Sequence, residues 1–155
     1  MRLSKNFTLA ELTRSNTATR LGIFNTPSYA HLQSLQRLIT KLIQPMRDEL
    51  GAIRITSGYR SPELNRAIGG SLKSQHCKGE ALDLQFWKDG VMCNKAIYDW
   101  VKSSGLEFDQ MINEYDFAWV HVSLREKKNR KQILEAYKDE DGDTQYRYPK
   151  DMNVI

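Results

Sequence analysis

Residues 107–124 read EFDQMINEYDFAWVHVSL, and this stretch decides the fold. The runs 107–115 and 118–124 have strand character and are separated only by Asp116 and Phe117, which predicts an antiparallel hairpin with a two-residue loop. Such a loop sets Tyr115 against Ala118, Glu114 against Trp119 and Ile112 against His121. Two more strands are expected upstream. Residues 52–56 (AIRIT) have period two. In 80–86 (EALDLQF), Leu82, Leu84 and Phe86 alternate with Ala81, Asp83 and Gln85, so one face joins a core and the other carries polar groups. Between these strands, Ser57-Gly58-Tyr59-Arg60-Ser61 is a turn. Ser61 with Pro62 then opens a short helix, which Gly69-Gly70-Ser71 ends.

Helices are expected on either side. Thr8 and Glu11 form a capping-box pattern for a helix over 7–14, with Phe7 as a staple before the cap. Ser28 caps an amphipathic helix over 29–50, whose stripe is Leu32, Leu35, Leu38, Ile39, Leu42, Ile43 and Met46; Pro45 should kink or weaken it. A helix over 91–104 turns Met92, Ala96, Ile97, Trp100 and Val101 inward, and the charged stretch near 126–137 reads as a helix or arm followed by a loosely packed tail. Helices first and hairpinned strands later make the fold α+β, a small antiparallel sheet flanked by helices. We place the functional body at 1–124, with 125–155 as an arm and tail of the same domain.

Composition agrees with one domain. The chain has 155 residues, 40% hydrophobic and 27% charged, with 23 Lys+Arg against 19 Asp+Glu and a net charge of +4. That balance is too mild for a dedicated nucleic-acid binder. The basic run Arg125–Lys131 is interrupted by Glu126 and followed by acidic residues at 139–143, so it reads as a solvated face, and no nucleic-acid partner is expected. Two cysteines, Cys77 and Cys93, supply no disulfide framework and read as small buried hydrophobes. No apolar stretch is long enough for a signal-peptide core or a membrane span, so we expect synthesis in the cytoplasm and no transmembrane segment; the oligomeric state is not read from the sequence, a monomer being favoured.

The three histidines, His31, His76 and His121, limit any metal site. His31 opens the long helix, far in sequence from other ligand types, and reads as structural. His76 lies seven residues before Asp83, and Gly79 lets the chain turn back sharply between them. Asp83 stands between Leu82 and Leu84, where a buried carboxylate needs a partner or a metal. His121 stands between Val120 and Val122, on a face shared with Trp119 and Ser123. Two histidines, one aspartate and a water match an open catalytic zinc site. In the predicted register Glu114 is diagonal to His121, with Cβ atoms roughly 7–8 Å apart. That makes Glu114 the candidate general base, able to take a proton from water at the metal and return it to a leaving amine. Arg60 presents a planar fork for a carboxylate or a developing oxyanion. Ser74 is placed to orient the His76 loop or to contact substrate.

Ser57-Gly58-Tyr59-Arg60-Ser61, Ser74-Gln75-His76 with Gly79, Ala81 and Asp83, and Trp119-Val120-His121-Val122-Ser123 resemble the zinc D-alanyl-D-alanine carboxypeptidase family, whose relatives include phage L-alanyl-D-glutamate endopeptidases. FTLAELTRSNTA, GIFNTP and QPMRDELG are similar to the phage and prophage branch, so the resemblance covers about 7–124. It implies a hedgehog-like peptidase fold, one zinc on His76, Asp83 and His121, a catalytic or substrate-binding Arg60, and substrate contacts from Ser74, Gln75, Trp119 and Ser123. It also implies hydrolysis of peptide bonds in peptidoglycan stem peptides, after release from the cell or as part of a virion. Many relatives carry the catalytic carboxylate three residues before the last histidine, where this chain has Ala118, so Asp116 stands behind Glu114 as a second candidate. The other reading is a non-catalytic wall-binding module with structural zinc.

Overall fold

A computed structural model describes residues 1–150. Its helices are α1 (Leu9–Thr13), α2 (Asn16–Leu21), α3 (Tyr29–Leu38), α4 (Gln44–Leu50), α5 (Pro62–Ala67) and α6 (Lys95–Ser104). The strands are β1 (Ile53–Ser57), β2 (Ala81–Lys88), β3 (Val91–Met92), β4 (Gln110–Glu114), β5 (Trp119–Ser123), β6 (Gln132–Lys138) and β7 (Thr144–Arg147). The sheet runs β1-β2-β5-β4-β6-β7, with β3 added to the end of β2. The fold is α+β, as expected. No helix among the described residues is long and apolar enough to cross a membrane.

The capping box of Thr8 and Glu11 is present, and Phe7 is buried beside it. Leu35, Leu38, Ile39, Leu42, Ile43 and Met46 are fully buried along α3, a π-helical segment (Ile39–Ile43) and α4, which run on as one rod. Proline lacks an N–H and its ring crowds the carbonyl four residues back; the wider π turn just before Pro45 relieves both. This rod covers one face of the sheet, where it meets Leu82, Leu84, Val120 and Val122 in the core. The opposite face is left for polar side chains, because successive strand residues alternate sides.

Several expectations need correction. Residues 91–92 form β3, not the start of a helix, and Met92 is exposed. Asp89 and Gly90, both at positive φ, are the Asp-Gly hairpin signal that joins β2 to β3. The stretch expected as a helix or arm near 126–137 instead supplies a loop and β6, which pairs in parallel with β4, so the sheet is not purely antiparallel. Ile133 and Ala136 are its buried residues, and their spacing is also helical, so the pattern did not discriminate. β7 then pairs with β6 in the region expected as loose tail, of which residues 151–155 lie outside the described residues.

The β4–β5 hairpin has the expected register, Ile112 opposite His121 and Glu114 opposite Trp119. Its connection is longer than two residues, with Tyr115, Asp116 and Phe117 all at positive φ. Three consecutive non-glycine residues in the left-handed region are costly and need outside support. Asn113 Oδ1 accepts from the Phe117 N–H at 2.6 Å, and the Tyr115 N–H donates to the Ala136 carbonyl at 3.0 Å. Buried Asn94 donates through Nδ2 to the carbonyls of Phe117 (2.8 Å) and Ala118 (3.2 Å), while its Oδ1 accepts from the Phe86 N–H at 2.8 Å.

A second polar anchor is Asp109, fully shielded from water and paired with Arg130 at 2.8 Å and Arg125 at 3.2 Å. Burial alone would raise its carboxyl pKa; the bonds to Arg130, with the charge of Arg125, hold it below the usual range.

Two stability outcomes are expected. Asn94→Ala removes its two bonds to the turn and its one to the Phe86 N–H on β2, and should cost about 2–4 kcal/mol in urea unfolding. Because the Asp109 carboxyl is depressed in the folded state, its contribution is complete above about pH 4 and is lost as pH falls through the lower folded value. Asp109→Asn should therefore narrow the stability difference between pH 6 and pH 3 relative to the unmodified chain.

Candidate metal centre

Asp83 and His121 are directly opposite each other on β2 and β5, so strand pairing alone brings them together. His76 arrives from a 3-10 turn (Gln75–Lys78) capped by Ser74, whose hydroxyl accepts from the His76 N–H at 3.2 Å. Gly79 follows at φ +70 and closes that turn; a Cβ there would stand 2.3 Å from the His31 carbonyl oxygen. His76 Nε2 lies 3.3 Å from Asp83 Oδ1, and His121 Nδ1 lies 3.1 Å from the same oxygen. The three ligand atoms fall within 4.8 Å of one another.

These distances test whether a metal fits. Two donors about 2.0–2.1 Å from a tetrahedral zinc are separated by about 3.3 Å, close to both observed gaps. The chemistry of the donors agrees. His76 Nδ1 lies 2.8 Å from the Gly58 carbonyl, which fixes the tautomer: Nδ1 carries the proton and Nε2 presents a lone pair to Asp83. Burial holds the His76 pKa below its ordinary value, against the pull of Asp83, so a second proton on the ring is disfavoured. A lone pair facing a carboxylate oxygen is repulsive unless a cation lies between them. Burial pushes the Asp83 carboxyl up, yet the histidines beside it leave it below the usual range, an anion ready to ligate.

Gly58 itself is constrained. A Cβ would stand 2.2 Å from the backbone oxygen of Leu12, and the next residue, Tyr59, donates its N–H to that oxygen at 2.7 Å. Helix α1 therefore sets the carbonyl that sets the imidazole.

The cluster lies in a groove of about 950 Å³ that also exposes Arg60, Ser74, Gln75, Glu114 and Trp119. Glu114 is buried, and desolvation, with a smaller push from Asp83 and an opposing pull from His121, raises its pKa to about 7. Arg60 donates through Nη1 to Asn65 Oδ1 at 3.2 Å, while its buried Nε has no partner. Desolvation lowers its pKa despite the nearby Asp83 charge.

The remaining expected residues divide. Trp119 faces the groove and meets Tyr115 edge to face. Gln75 lines it too, but its amide donates to Asp109 Oδ2 at 3.0 Å, so it also braces the loop. Ser123 is corrected: it is fully buried, is absent from the groove lining, and donates through Oγ to the Gln110 carbonyl at 3.4 Å. It shares a face with His121, but neighbouring structure covers that end of β5. Asp116 is exposed in the turn and does not line the groove, which leaves Glu114 as the carboxylate on the metal's side. His31 stands apart, 5.8 Å from the Tyr59 ring. Cys77 and Cys93 are free and half-buried, more exposed than expected.

Asn65 was missed. It is buried in α5, holds Arg60, and donates to the Ser71 carbonyl at 2.8 Å. A polar residue on a short helix carries no such signal; the adjacent Gly70, where a Cβ would meet Asn65 Oδ1 at 2.0 Å, was the clue.

Among comparisons with known proteins, the sequence model of one family, Peptidase M15, matches residues 5–123. No curated protein matches the chain.

We expect one zinc per chain by elemental analysis, lost in His76→Ala, Asp83→Ala and His121→Ala. Gly58→Ala leaves all three ligands in place but displaces the carbonyl behind His76, and should weaken zinc about 10–100-fold.

Proposed function

The chain belongs to the peptidase M15 family, and from that premise we propose that it is a zinc peptidase that hydrolyses peptide bonds in bacterial peptidoglycan stem peptides. The observation that carries the reading is the placement of Glu114, a buried carboxylate on the same groove as a three-donor cluster that leaves room for a fourth ligand. A structural zinc site is closed by four protein ligands; three with an open side suit catalysis.

His76, Asp83 and His121 would hold the metal. When bound, zinc supplies Lewis-acid polarisation of the scissile carbonyl and acidifies water. Glu114 accepts a proton from the attacking water and passes it to the amine as the C–N bond breaks, so that a carboxylate and a free amine result. Its buried position raises its proton affinity toward that required at neutral pH. Arg60, held by Asn65 with one nitrogen unpaired, offers its fork to a substrate carboxylate or to the charge that develops on the carbonyl oxygen. Trp119 and Ser74 line the same groove, where they would contact the peptide. The phage-type context, action on the wall after release or from a virion, rests on the resemblance of the N-terminal motifs.

Glu114→Gln preserves shape and zinc but removes the base. Release of free amino groups from purified peptidoglycan should fall by about 10²–10⁴-fold with zinc content unchanged. Undiminished release would overturn the assignment, and retention of tight wall binding without any hydrolysis by the unmodified zinc-loaded chain would favour the binding-module reading.

A further inference from the structure

The loop after β5 lies beyond the family-matched residues, and it carries two arginines into the groove. Arg130 grips Asp109 through Nε at 3.1 Å, Nη2 at 2.8 Å and its backbone N–H at 3.0 Å, and Arg125 adds an ion pair through Nε at 3.2 Å. Gln75, beside the ligand His76, donates to the same carboxylate at 3.0 Å. One buried carboxylate faces two guanidinium groups, so the cluster keeps net positive charge. Both arginine side chains are about two-fifths open to solvent, at 40% and 43%, and both line the groove. Arg130 Nη1 and both terminal nitrogens of Arg125 have no protein partner among the described residues, leaving donors that a ligand can take. A clamp for the loop alone is already made by Arg130, which bonds Asp109 three times.

The position is specific. Arg125 follows His121 by four residues, two beyond the end of β5, so their Cα atoms are at most about 14 Å apart. Arg125 is thus within the reach of about four extended peptide residues of the metal cluster. Arg60 follows β1, and Asp109 precedes β4, on opposite sides of β2 and β5. A peptide lying in the groove would meet two separate cationic sites.

We propose that Arg125 and Arg130, braced by Asp109, form a carboxylate subsite that takes an acidic group of the substrate peptide a few residues from the cleaved bond. This deepens the peptidase reading and rests on it. Two guanidinium groups fixed by a common buried anchor lose little freedom on binding; the Nη1–Nη2 edge of Arg125, with Arg130 Nη1 beside it, suits bidentate recognition of a carboxylate over a carboxamide of the same shape.

The test compares a free stem pentapeptide (L-Ala-γ-D-Glu-L-Lys-D-Ala-D-Ala) with analogues in which one carboxyl at a time is converted to an amide. Hydrolysis kinetics and calorimetric binding are measured on zinc-loaded unmodified protein and on R125Q. One amidation should weaken the unmodified protein's KM or Kd by about 10–100-fold, with the loss in KM and not kcat. R125Q should reduce that discrimination to within about twofold while melting shows it folded. If R125Q does not fold, R125K, which keeps the charge on Asp109 but lacks the fork, must still reduce the discrimination. Equal handling of acid and amides by the unmodified protein, or full discrimination in either variant, overturns the subsite. Failure of the peptidase reading looks different: no peptide is cut, yet calorimetry still reports whether the arginines select the acid.

Discussion

A carboxylate placed in a central strand between two core leucines is the constraint on which the rest of this structure depends. Removing Asp83 from water costs several kcal/mol unless countercharge and hydrogen bonds are supplied at close range. Three features of the fold surround it with imidazoles. Strand pairing sets His121 opposite, the Gly79 turn returns His76 to the same oxygen, and the Gly58 carbonyl orients the His76 ring. Because the imidazole that faces Asp83 presents a lone pair, the arrangement suits a cation, whose binding would stabilise the fold as well as the site.

The sheet divides its duties by face. Leu82, Leu84, Val120 and Val122 turn toward the helical rod and bury the core. Asp83, His121, Ile112 and Glu114 turn the other way and line the groove. A shift of one residue in the β2–β5 register would exchange the two sets, so the hydrophobic core enforces the geometry of the polar site. Around the Asp83 cluster the groove lining carries five cations, Arg60, Lys73, Lys78, Arg125 and Arg130. That layout suits a peptide whose carboxylates lie along the chain while its scissile carbonyl meets the metal.

Much of this was legible in the sequence because the deciding signals are local. Alternation in EALDLQF predicts which face Asp83 takes, and the spacing of the 107–124 hairpin predicts that Glu114 lies diagonal to His121. What escaped depends on contacts between distant segments. The left-handed turn at Tyr115–Phe117 depends on Asn94, some twenty residues earlier, and on Ala136, some twenty later, as well as on nearby Asn113. Ser123 has the right strand parity for the groove, yet tertiary packing buries it. Residues 132–138 satisfy a helical spacing and become a strand because the free edge of β4 is there to pair with. The Asp109 cluster joins residues 75, 109, 125 and 130, a set that no motif of fixed spacing could disclose.

The central claim is that the groove cuts wall peptides, and mass spectrometry of muropeptides after incubation with the zinc-loaded chain tests it most directly. The account predicts a pair of products whose masses sum to one stem peptide plus one water, with the cleaved bond identified by the fragments and the reaction abolished by chelation. A muropeptide profile unchanged by a chain carrying one zinc per molecule would contradict it.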